Sequence, residues 1–284
     1  MKAIHTNWTL PFKQKNQEKY FIEDYEILTT ILSALKWRQY NGFIKMYTDQ
    51  VGYNFYKELN ILDIWNEIDT ALLDHMDYTI DPSIFWAAAK IVCLKNEDVP
   101  VCVLDTDLII WQDLSSLCDK RDLVIVHKEE IFPDIYPAKQ YLKIPKGYEF
   151  DPEWDWTIPA LNAAFYYIAN KELKELYTSE SLRFMINNLE KPLENVTQMV
   201  FAEQRLFALC ANKLSIQPEF LLNNPFDEKE LVTHIWGYKQ EVKRNHEKRR
   251  ELCVNLVKKI LINYPEKHSM LTNIPSVKPY LNHI

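Results

Sequence analysis

Two aspartates interrupt an apolar run near the middle of the chain, in the segment Val101-Cys-Val-Leu-Asp105-Thr-Asp107-Leu-Ile-Ile110. The β-branched and apolar residues on either side predict a buried strand. In an extended chain, residues two apart point to the same side, so Asp105 and Asp107 are expected to lie together. Two buried carboxylates without a partner cost several kcal/mol each, and a hard divalent cation between them removes that cost. The segment therefore predicts a Mg²⁺ or Mn²⁺ site at a strand end, shared with a phosphorylated ligand. The alternative is a chance Asp-x-Asp in a turn.

Strand and helix patterns alternate through the first hundred residues. The predicted elements there are strands at 3–8, 43–47 and 61–64 and helices at 20–37, 55–59 and 82–94, followed by the Asp-x-Asp strand. This alternation predicts an α/β fold with a mostly parallel, Rossmann-like sheet and helices on both faces. Ligands in such sheets bind beyond the carboxyl ends of the strands, where the two aspartates are expected.

The second half of the chain is less regular. Its predicted elements are strands at 123–127, 160–169 and 231–236, helices at 171–189, 197–211 and 240–263, a loop at 136–157 and a loose polar tail after Pro265. The predicted organisation is a catalytic domain over residues 1–240, with a basic helix and tail over 241–284 packed on it as a C-terminal helical extension.

Composition excludes several functional classes. The net charge of −7 argues against a nucleic-acid partner. The chain has four glycines and no Gly-x-Gly, which excludes a Gly-rich phosphate loop. Five scattered cysteines without a Cys-x-x-Cys spacing predict reduced core thiols. With no signal-like or membrane-spanning segment, the expected location is cytoplasmic.

Four segments, taken in order, resemble nucleotide-sugar-dependent glycosyltransferases of the GT-A fold. The resemblance is strongest to glycosyltransferase family 8, which contains glycogenin and bacterial lipooligosaccharide galactosyltransferases. The segments are Phe85-Trp-Ala-Ala-Ala-Lys90, Leu104-Asp105-Thr-Asp107, Ala202-Glu203-Gln204 and His234-Ile-Trp-Gly237-Tyr-Lys239. The resemblance covers residues 3 to about 240. The chain departs from the family pattern in two places, since Glu203 replaces an Asp and one residue fewer separates Gly237 from Lys239.

The resemblance implies a metal-dependent transfer of sugar from a nucleoside-diphosphate sugar, with UDP as the nucleotide and retention of anomeric configuration. The implied ligands of Mn²⁺ or Mg²⁺ are Asp105, Asp107 and His234. The implied donor-binding residues are Lys90, Asn162, Gly237 and Lys239. Glu203 and Gln204 are placed on the reacting face of the donor sugar. For each position apart from the metal-binding aspartates, a structural role is the competing interpretation: a strand histidine, surface lysines or an exposed helix carboxylate.

Three further residues are candidates from their own chemistry. Asp49 ends the second predicted strand, where it is expected to meet the base or ribose of the donor. Its alternative role is that of a turn aspartate before Gly52. Trp154 and Trp156 offer aromatic faces to a glycan or lipid-linked acceptor, and core packing is the alternative.

Two rival functions remain open at this stage. A phosphatase of the haloacid dehalogenase type would use Asp105 as its nucleophile, and a non-catalytic protein would only bind the nucleotide sugar. Eight Lys and Arg residues lie between 239 and 259. This basic helix is a candidate for peripheral contact with the inner face of a membrane, although such a charge run is commonly a solvated face.

Overall fold

The computed structural model describes residues 1–15, 19–192, 196–223 and 231–283. Its strands are β1 (Lys2–Asn7), β2 (Phe43–Thr48), β3 (Glu67–Asp69), β4 (Val101–Leu104), β5 (Leu108–Ile110), β6 (Leu123–Ile125), β7 (Lys128–Glu129), β8 (Ala160–Leu161), β9 (Phe165–Ile168), β10 (Glu219–Phe220) and β11 (Val232–His234). Its α-helices are α1 (Leu10–Lys15), α2 (Asp24–Tyr40), α3 (Gln50–Glu58), α4 (Leu72–His75), α5 (Ala88–Asn96), α6 (Ser115–Cys118), α7 (Lys171–Met185), α8 (Thr197–Val200), α9 (Leu206–Lys213), α10 (Lys239–Arg244), α11 (His246–Asn263), α12 (His268–Thr272) and α13 (Lys278–Leu281). A π-helical segment, Phe201–Arg205, joins α8 to α9.

Seven strands form the central sheet in the order β10-β6-β9-β4-β1-β2-β3. Strand β1 pairs in parallel with β2 and with β4, and β3 and β10 also join in parallel. Only β9 runs antiparallel within this sheet, between β4 and β6. The predicted mostly parallel α/β sheet is confirmed, and the carboxyl ends of β1, β2 and β4 lie at one edge.

The sheet is buried on both faces, and alternate residues of β4 show the division. Cys102 and Leu104 belong to a core shared with α2, α11 and the C-terminal helices. Val101 and Val103 belong to a second core, shared with α5, α7 and α9. Because both faces are covered by apolar helix surfaces, the strand is apolar at every position, as expected for a central parallel strand.

Several predicted boundaries were wrong because turns replace regular structure. The predicted strand at 61–64 is a 3₁₀ turn, Leu62–Ile64, and the edge strand is β3. The predicted helix at 82–94 begins only at Ala88, since Asp81 accepts hydrogen bonds in a turn before it. The long basic helix is two helices, because the side chain of Asn245 caps the start of α11.

The C-terminal segment after Pro265 is not loose. Met270, Leu271, Ile274 and Val277 are buried in the core that contains α2. Helix α11 packs against α2 and connects this segment to the body of the protein. The segment is mostly polar, but these four apolar side chains are enough to hold it against the apolar surface that α2 and α11 provide.

All five cysteines are buried and free. Within the described ranges, the helices include none with the length and apolar character of a membrane span.

Candidate functional site

The two aspartates of the Asp-x-Asp segment lie in a turn between β4 and β5. The amide of Leu108 donates to the carbonyl of Asp105 at 3.1 Å, which closes the turn. The amide of Asp105 donates to the carbonyl of Ala164 at 2.8 Å, at the start of β9. The prediction of one continuous strand was wrong, and the turn, rather than strand alternation, brings the carboxylates to the edge of the sheet.

His234 reaches the same place from a distant part of the sequence. Strand β11 pairs antiparallel with β5, with His234 opposite Leu108. The amide of Ile235 donates to the carbonyl of Asp107 at 3.2 Å and extends the pairing to the turn. The result is that the imidazole Nε2 lies 3.6 Å from Asp107 Oδ1, which is too long for a hydrogen bond.

Asp105, Asp107 and His234 can supply three ligands to one cation. One ligand atom from each lies within 4.8 Å of the other two. Two atoms on opposite sides of a Mg²⁺ ion are about 4 Å apart, so ligand atoms this close together are compatible with a single ion. Among the described residues, nothing hydrogen-bonds to His234 Nε2, although this atom is buried. A buried imidazole nitrogen without a partner, beside two carboxylates, fits a metal ligand.

Lys239 adds a positive charge to this cluster. Its Nζ lies 2.7 Å from Asp107 Oδ2 and 3.4 Å from Glu26 Oε1. Burial raises the pKa of Asp107, but His234 and Lys239 outweigh burial and hold that pKa well below its usual range. Burial lowers the pKa of Lys239, whereas Asp107 and Glu26 raise it more. The cluster therefore keeps Asp107 ionised and Lys239 charged.

Lys90 links Asp105 to Glu203. Its Nζ lies 2.7 Å from Asp105 Oδ1, contacts Glu203 Oε1, and donates to the carbonyl of Ala163 at 3.1 Å. Burial lowers the pKa of Lys90, but the two carboxylates raise it above its usual value. For Glu203, burial raises the pKa and Lys90 opposes this, leaving the pKa above its ordinary value. Lys90 thus holds the two carboxylates together beside the candidate metal ligands.

The π-helical segment directs neighbouring side chains to different places. Glu203 is buried and faces Lys90, whereas the carbonyl oxygen of Gln204's side chain accepts a hydrogen bond from the hydroxyl of Tyr136. Arg205 donates to the carbonyls of Trp156 and Ile158. Such π-helical turns are rare and are frequently found at functional sites. Glu203 thus lies at the carboxylate cluster and Gln204 does not, and the placement of the pair on the reacting face of the donor sugar stays a prediction.

Asn162 and Gly237 lie next to the cluster without joining it. Asn162 Nδ2 donates to Glu129 at 2.6 Å, and its Oδ1 accepts from the amide of Ala164 at 3.0 Å. Gly237 sits in the 3₁₀ turn Trp236–Tyr238 between His234 and Lys239. No atom of the described residues lies within 4 Å of the place that a Cβ would take on Gly237. A close approach of phosphate to this glycine stays a prediction.

Asp49 has a structural role at the start of α3. Its carboxylate is buried and accepts hydrogen bonds from the amides of Val51 and Gly52, which caps α3. The amide and hydroxyl of Thr9 also donate to it, at 2.8 to 3.0 Å. The local alternative, an aspartate that begins a turn, describes these contacts, and the contact with the nucleotide stays a prediction.

The two tryptophans expected at an acceptor site have different environments. Trp154 is 5% exposed and packs with Phe150, so it belongs to the core. Trp156 is partly exposed, stacks on Phe201 and lines a cleft. Contact with an acceptor stays a prediction for both residues, and Trp156 is the more accessible of the two.

Sequence reasoning missed the buried polar residues that support the turn. Ser33 of α2 donates from Oγ to the carbonyl of Leu108 at 2.6 Å. His5 of β1 lies 3.2 Å from Ser33 through Nε2, and Trp65 donates to His5 Nδ1 at 3.1 Å. The available signal was the presence of a histidine and a serine inside otherwise apolar elements, where a polar group requires a partner.

Comparison with known proteins gives a family and several solved structures. The model of a family of unknown function, DUF6734, matches residues 1–274. The chain is similar to mouse xyloside xylosyltransferase 1 in its apo form, with 9% identity, a TM-score of 0.42 and coverage of 78% of this chain and 85% of that one. It is also similar to PaToxG glycosyltransferase, with 11% identity, a TM-score of 0.35 and coverage of 76% and 78%.

A third similar structure is the galactosyltransferase LgtC in complex with donor and acceptor sugar analogues. The identity is 10%, the TM-score is 0.34, and the match covers 72% of this chain and 71% of that one. No curated protein matches the chain. Because these TM-scores are below 0.5, the activity of this chain must be argued from its own site.

Proposed function

We propose that this chain, which belongs to the DUF6734 family of unknown function, transfers a sugar from a metal-bound nucleoside-diphosphate sugar to an acceptor hydroxyl. The observation that carries the proposal is the convergence of Asp105, Asp107 and His234, with ligand atoms within 4.8 Å, at the carboxyl edge of a mostly parallel sheet. Ligands of open α/β sheets bind at that edge. The charged pair Lys90 and Glu203 lies directly beside these ligands.

Each group has a role in the proposed reaction. A Mn²⁺ or Mg²⁺ ion held by Asp105, Asp107 and His234 supplies Lewis-acid stabilisation of the negative charge on the departing diphosphate. Lys239 pairs with the diphosphate as a second positive charge. Glu203, kept in place by Lys90, lies beside the donor sugar.

The covalent change is a group transfer. The bond between C1 of the sugar and the diphosphate oxygen breaks, and a bond between C1 and the acceptor oxygen forms. The hydroxyl proton of the acceptor passes to the nucleoside diphosphate. We propose UDP as the nucleotide, retention of configuration and a glycan or glycolipid acceptor, all on the resemblance to glycosyltransferase family 8.

We also propose a cytoplasmic location, with peripheral contact between the basic segment 239–259 and the inner face of a membrane. Part of this positive charge already has protein partners, since Arg249 pairs with Glu23 and Asp24 and Lys248 pairs with Glu241. The proposal therefore depends on the remaining basic side chains of the segment.

The donor site is tested by calorimetric titration of UDP, GDP and their sugars, with and without Mn²⁺, on the wild-type protein and on Asp107→Ala. We expect one nucleotide to bind in a Mn²⁺-dependent way, and Asp107→Ala to weaken binding by roughly 10- to 100-fold or more, the range seen when metal sites are perturbed. Asp113→Ala, which removes an exposed carboxylate, is the matched control and should bind like the wild type.

Two outcomes would contradict the proposal. Nucleotide binding that is independent of Mn²⁺ and unchanged in Asp107→Ala would remove the metal site from the mechanism. A protein that binds none of these nucleotides would not be a nucleotide-sugar transferase, and trapping of a phosphoenzyme on Asp105 would then favour the phosphatase. A circular-dichroism melt of Asp107→Ala shows whether lost binding reflects lost folding.

A further inference from the structure

The cleft lined by Trp156 has a volume of about 720 Å³. The residues of its lining that matter here are Asp134, Tyr136, Gln140, Tyr141, Trp156 and Arg205. Pockets for drug-sized ligands measure about 300–1,000 Å³, so this cleft holds a ligand larger than one sugar ring. We propose that it binds the acceptor of the proposed transfer as a saccharide of two or more rings.

The walls of the cleft are aromatic and fixed in place. Trp156 stacks on Phe201 with ring centroids 5.9 Å apart and planes at 9°, and meets Phe150 edge-on at 5.1 Å. Arg205 donates to the backbone carbonyl of Trp156 and holds its main chain. Tyr136 is anchored by its hydrogen bond to Gln204. Such prepositioned side chains lose little conformational entropy when a ligand binds.

The chemistry of the lining matches a sugar better than a purely apolar ligand. Sugar rings present C–H groups on their faces, which pack on the flat apolar surfaces of Trp156, Tyr136 and Tyr141. Their hydroxyls lie at the edges and need hydrogen-bond partners, which Asp134 and Gln140 provide from the same lining. An apolar acyl chain would leave these polar groups without a partner, at a cost in free energy.

The cleft is connected to the reacting groups through three successive residues. Glu203 faces Lys90, Gln204 bonds to Tyr136 at the cleft, and Arg205 lines the cleft itself. A ligand in the cleft therefore meets Arg205, two residues along the chain from the carboxylate beside the donor site. Gln204 lies between these two residues and is tied to the cleft by Tyr136.

The test is saturation-transfer NMR with four neutral disaccharides: lactose, maltose, cellobiose and diacetylchitobiose. The titrations are made without metal or nucleotide on the wild type, on Tyr141→Ala and on Tyr78→Ala. Tyr141 is 65% exposed at the cleft, and Tyr78 is 97% exposed elsewhere, so neither substitution should affect folding. We expect at least one disaccharide to bind the wild type and Tyr78→Ala, and Tyr141→Ala to weaken binding by roughly fivefold or more, the effect of losing one aromatic contact.

The inference is overturned if none of the disaccharides binds, or if Tyr141→Ala and Tyr78→Ala bind alike. Octanol serves as an apolar probe. The inference is also overturned if octanol binds in a Tyr141-dependent way without displacing any disaccharide from the wild type. The inference rests on the proposed function, yet the two can fail separately. A protein with Mn²⁺-dependent nucleotide binding and no saccharide binding keeps the function and loses the cleft, whereas the reverse result keeps only a saccharide site.

Discussion

Lys90 shows at the residue scale how this protein tolerates buried carboxylates. The sequence allowed either a surface lysine or a contact with the donor. In the structure, Lys90 is 9% exposed and its ammonium group lies between Asp105 and Glu203. Removing one member of a buried ionic cluster leaves the other charges buried without a partner. The free-energy cost of that is larger than the net stabilisation that the complete cluster provides. Lys90 is therefore required to hold the carboxylates together, whether or not it also contacts the donor.

His5 gives a pH prediction at the same scale. Because the indole N–H of Trp65 can only donate, His5 Nδ1 must accept and the proton resides on Nε2, toward Ser33. Burial lowers the pKa of His5 from 6.5 to about 3, with Asp107 opposing this slightly. Between those two pH values, His5 therefore binds a proton in the unfolded chain but not in the folded protein. Stability due to neutral His5 is present above pH 6.5 and is lost as the pH falls toward 3.

We expect the His5 linkage to lower the free energy of unfolding by about 2 kcal/mol between pH 7 and pH 5. The check is urea denaturation of the wild type and of His5→Gln at both pH values. The amide of Gln can accept from Trp65 and donate to Ser33 without titrating, so the variant should lose about 2 kcal/mol less. His75→Gln, at an exposed histidine, should follow the wild type. Equal pH dependence in all three proteins would mean that His5 is not held neutral.

At the scale of secondary structure, the start of α3 depends on one aspartate. We expect Asp49→Ala to lower the free energy of unfolding by about 2–4 kcal/mol, since it removes a helix cap and leaves buried groups of Thr9 unpaired. Asn170→Ala, which removes the single cap contact of α7, should cost about 1 kcal/mol. Chemical denaturation of both variants provides the measurement. An Asp49→Ala protein of unchanged stability that had lost UDP binding would restore the nucleotide role.

The elements also show where sequence patterns stop being informative. Strand β4 and helix α7 were predictable, because apolar periodicity and length specify them locally. The turn between β4 and β5 was not predictable, since it is stabilised by partners such as Ala164 and Ser33 that are far away in the sequence. The π-helical segment Phe201–Arg205 likewise carries an ordinary helical pattern. Its irregular backbone is visible only in three dimensions.

At the scale of the whole molecule, the C-terminal segment is part of the core. Truncation after Tyr264 would remove Met270, Leu271, Ile274 and Val277, which are 0–7% exposed. Burying one such side chain contributes about 1.5–3 kcal/mol, so their combined loss approaches the total stability of a domain. We expect the truncated protein to lose its cooperative thermal transition in circular dichroism.

The matched control for this truncation is a chain that ends after Leu281, which removes Ile284 and the exposed residues Asn282 and His283. This shorter truncation should melt within a few degrees of the full chain, because it uncovers no core side chain. If both truncated proteins had the melting temperature of the full chain, the C-terminal segment would not contribute to the core as described.

The sequence by itself determined the fold class, the helices on both faces of the sheet and the position of the carboxylate pair. Each of these depends on local pattern: alternating strands and helices, apolar periodicity, and charges inside an apolar run. It could not determine that Thr9 also donates to Asp49, that Trp154 is buried, or that Lys90 bridges Asp105 and Glu203. Those outcomes depend on which distant segments meet, and contacts between residues tens of positions apart are decided by packing of the whole chain.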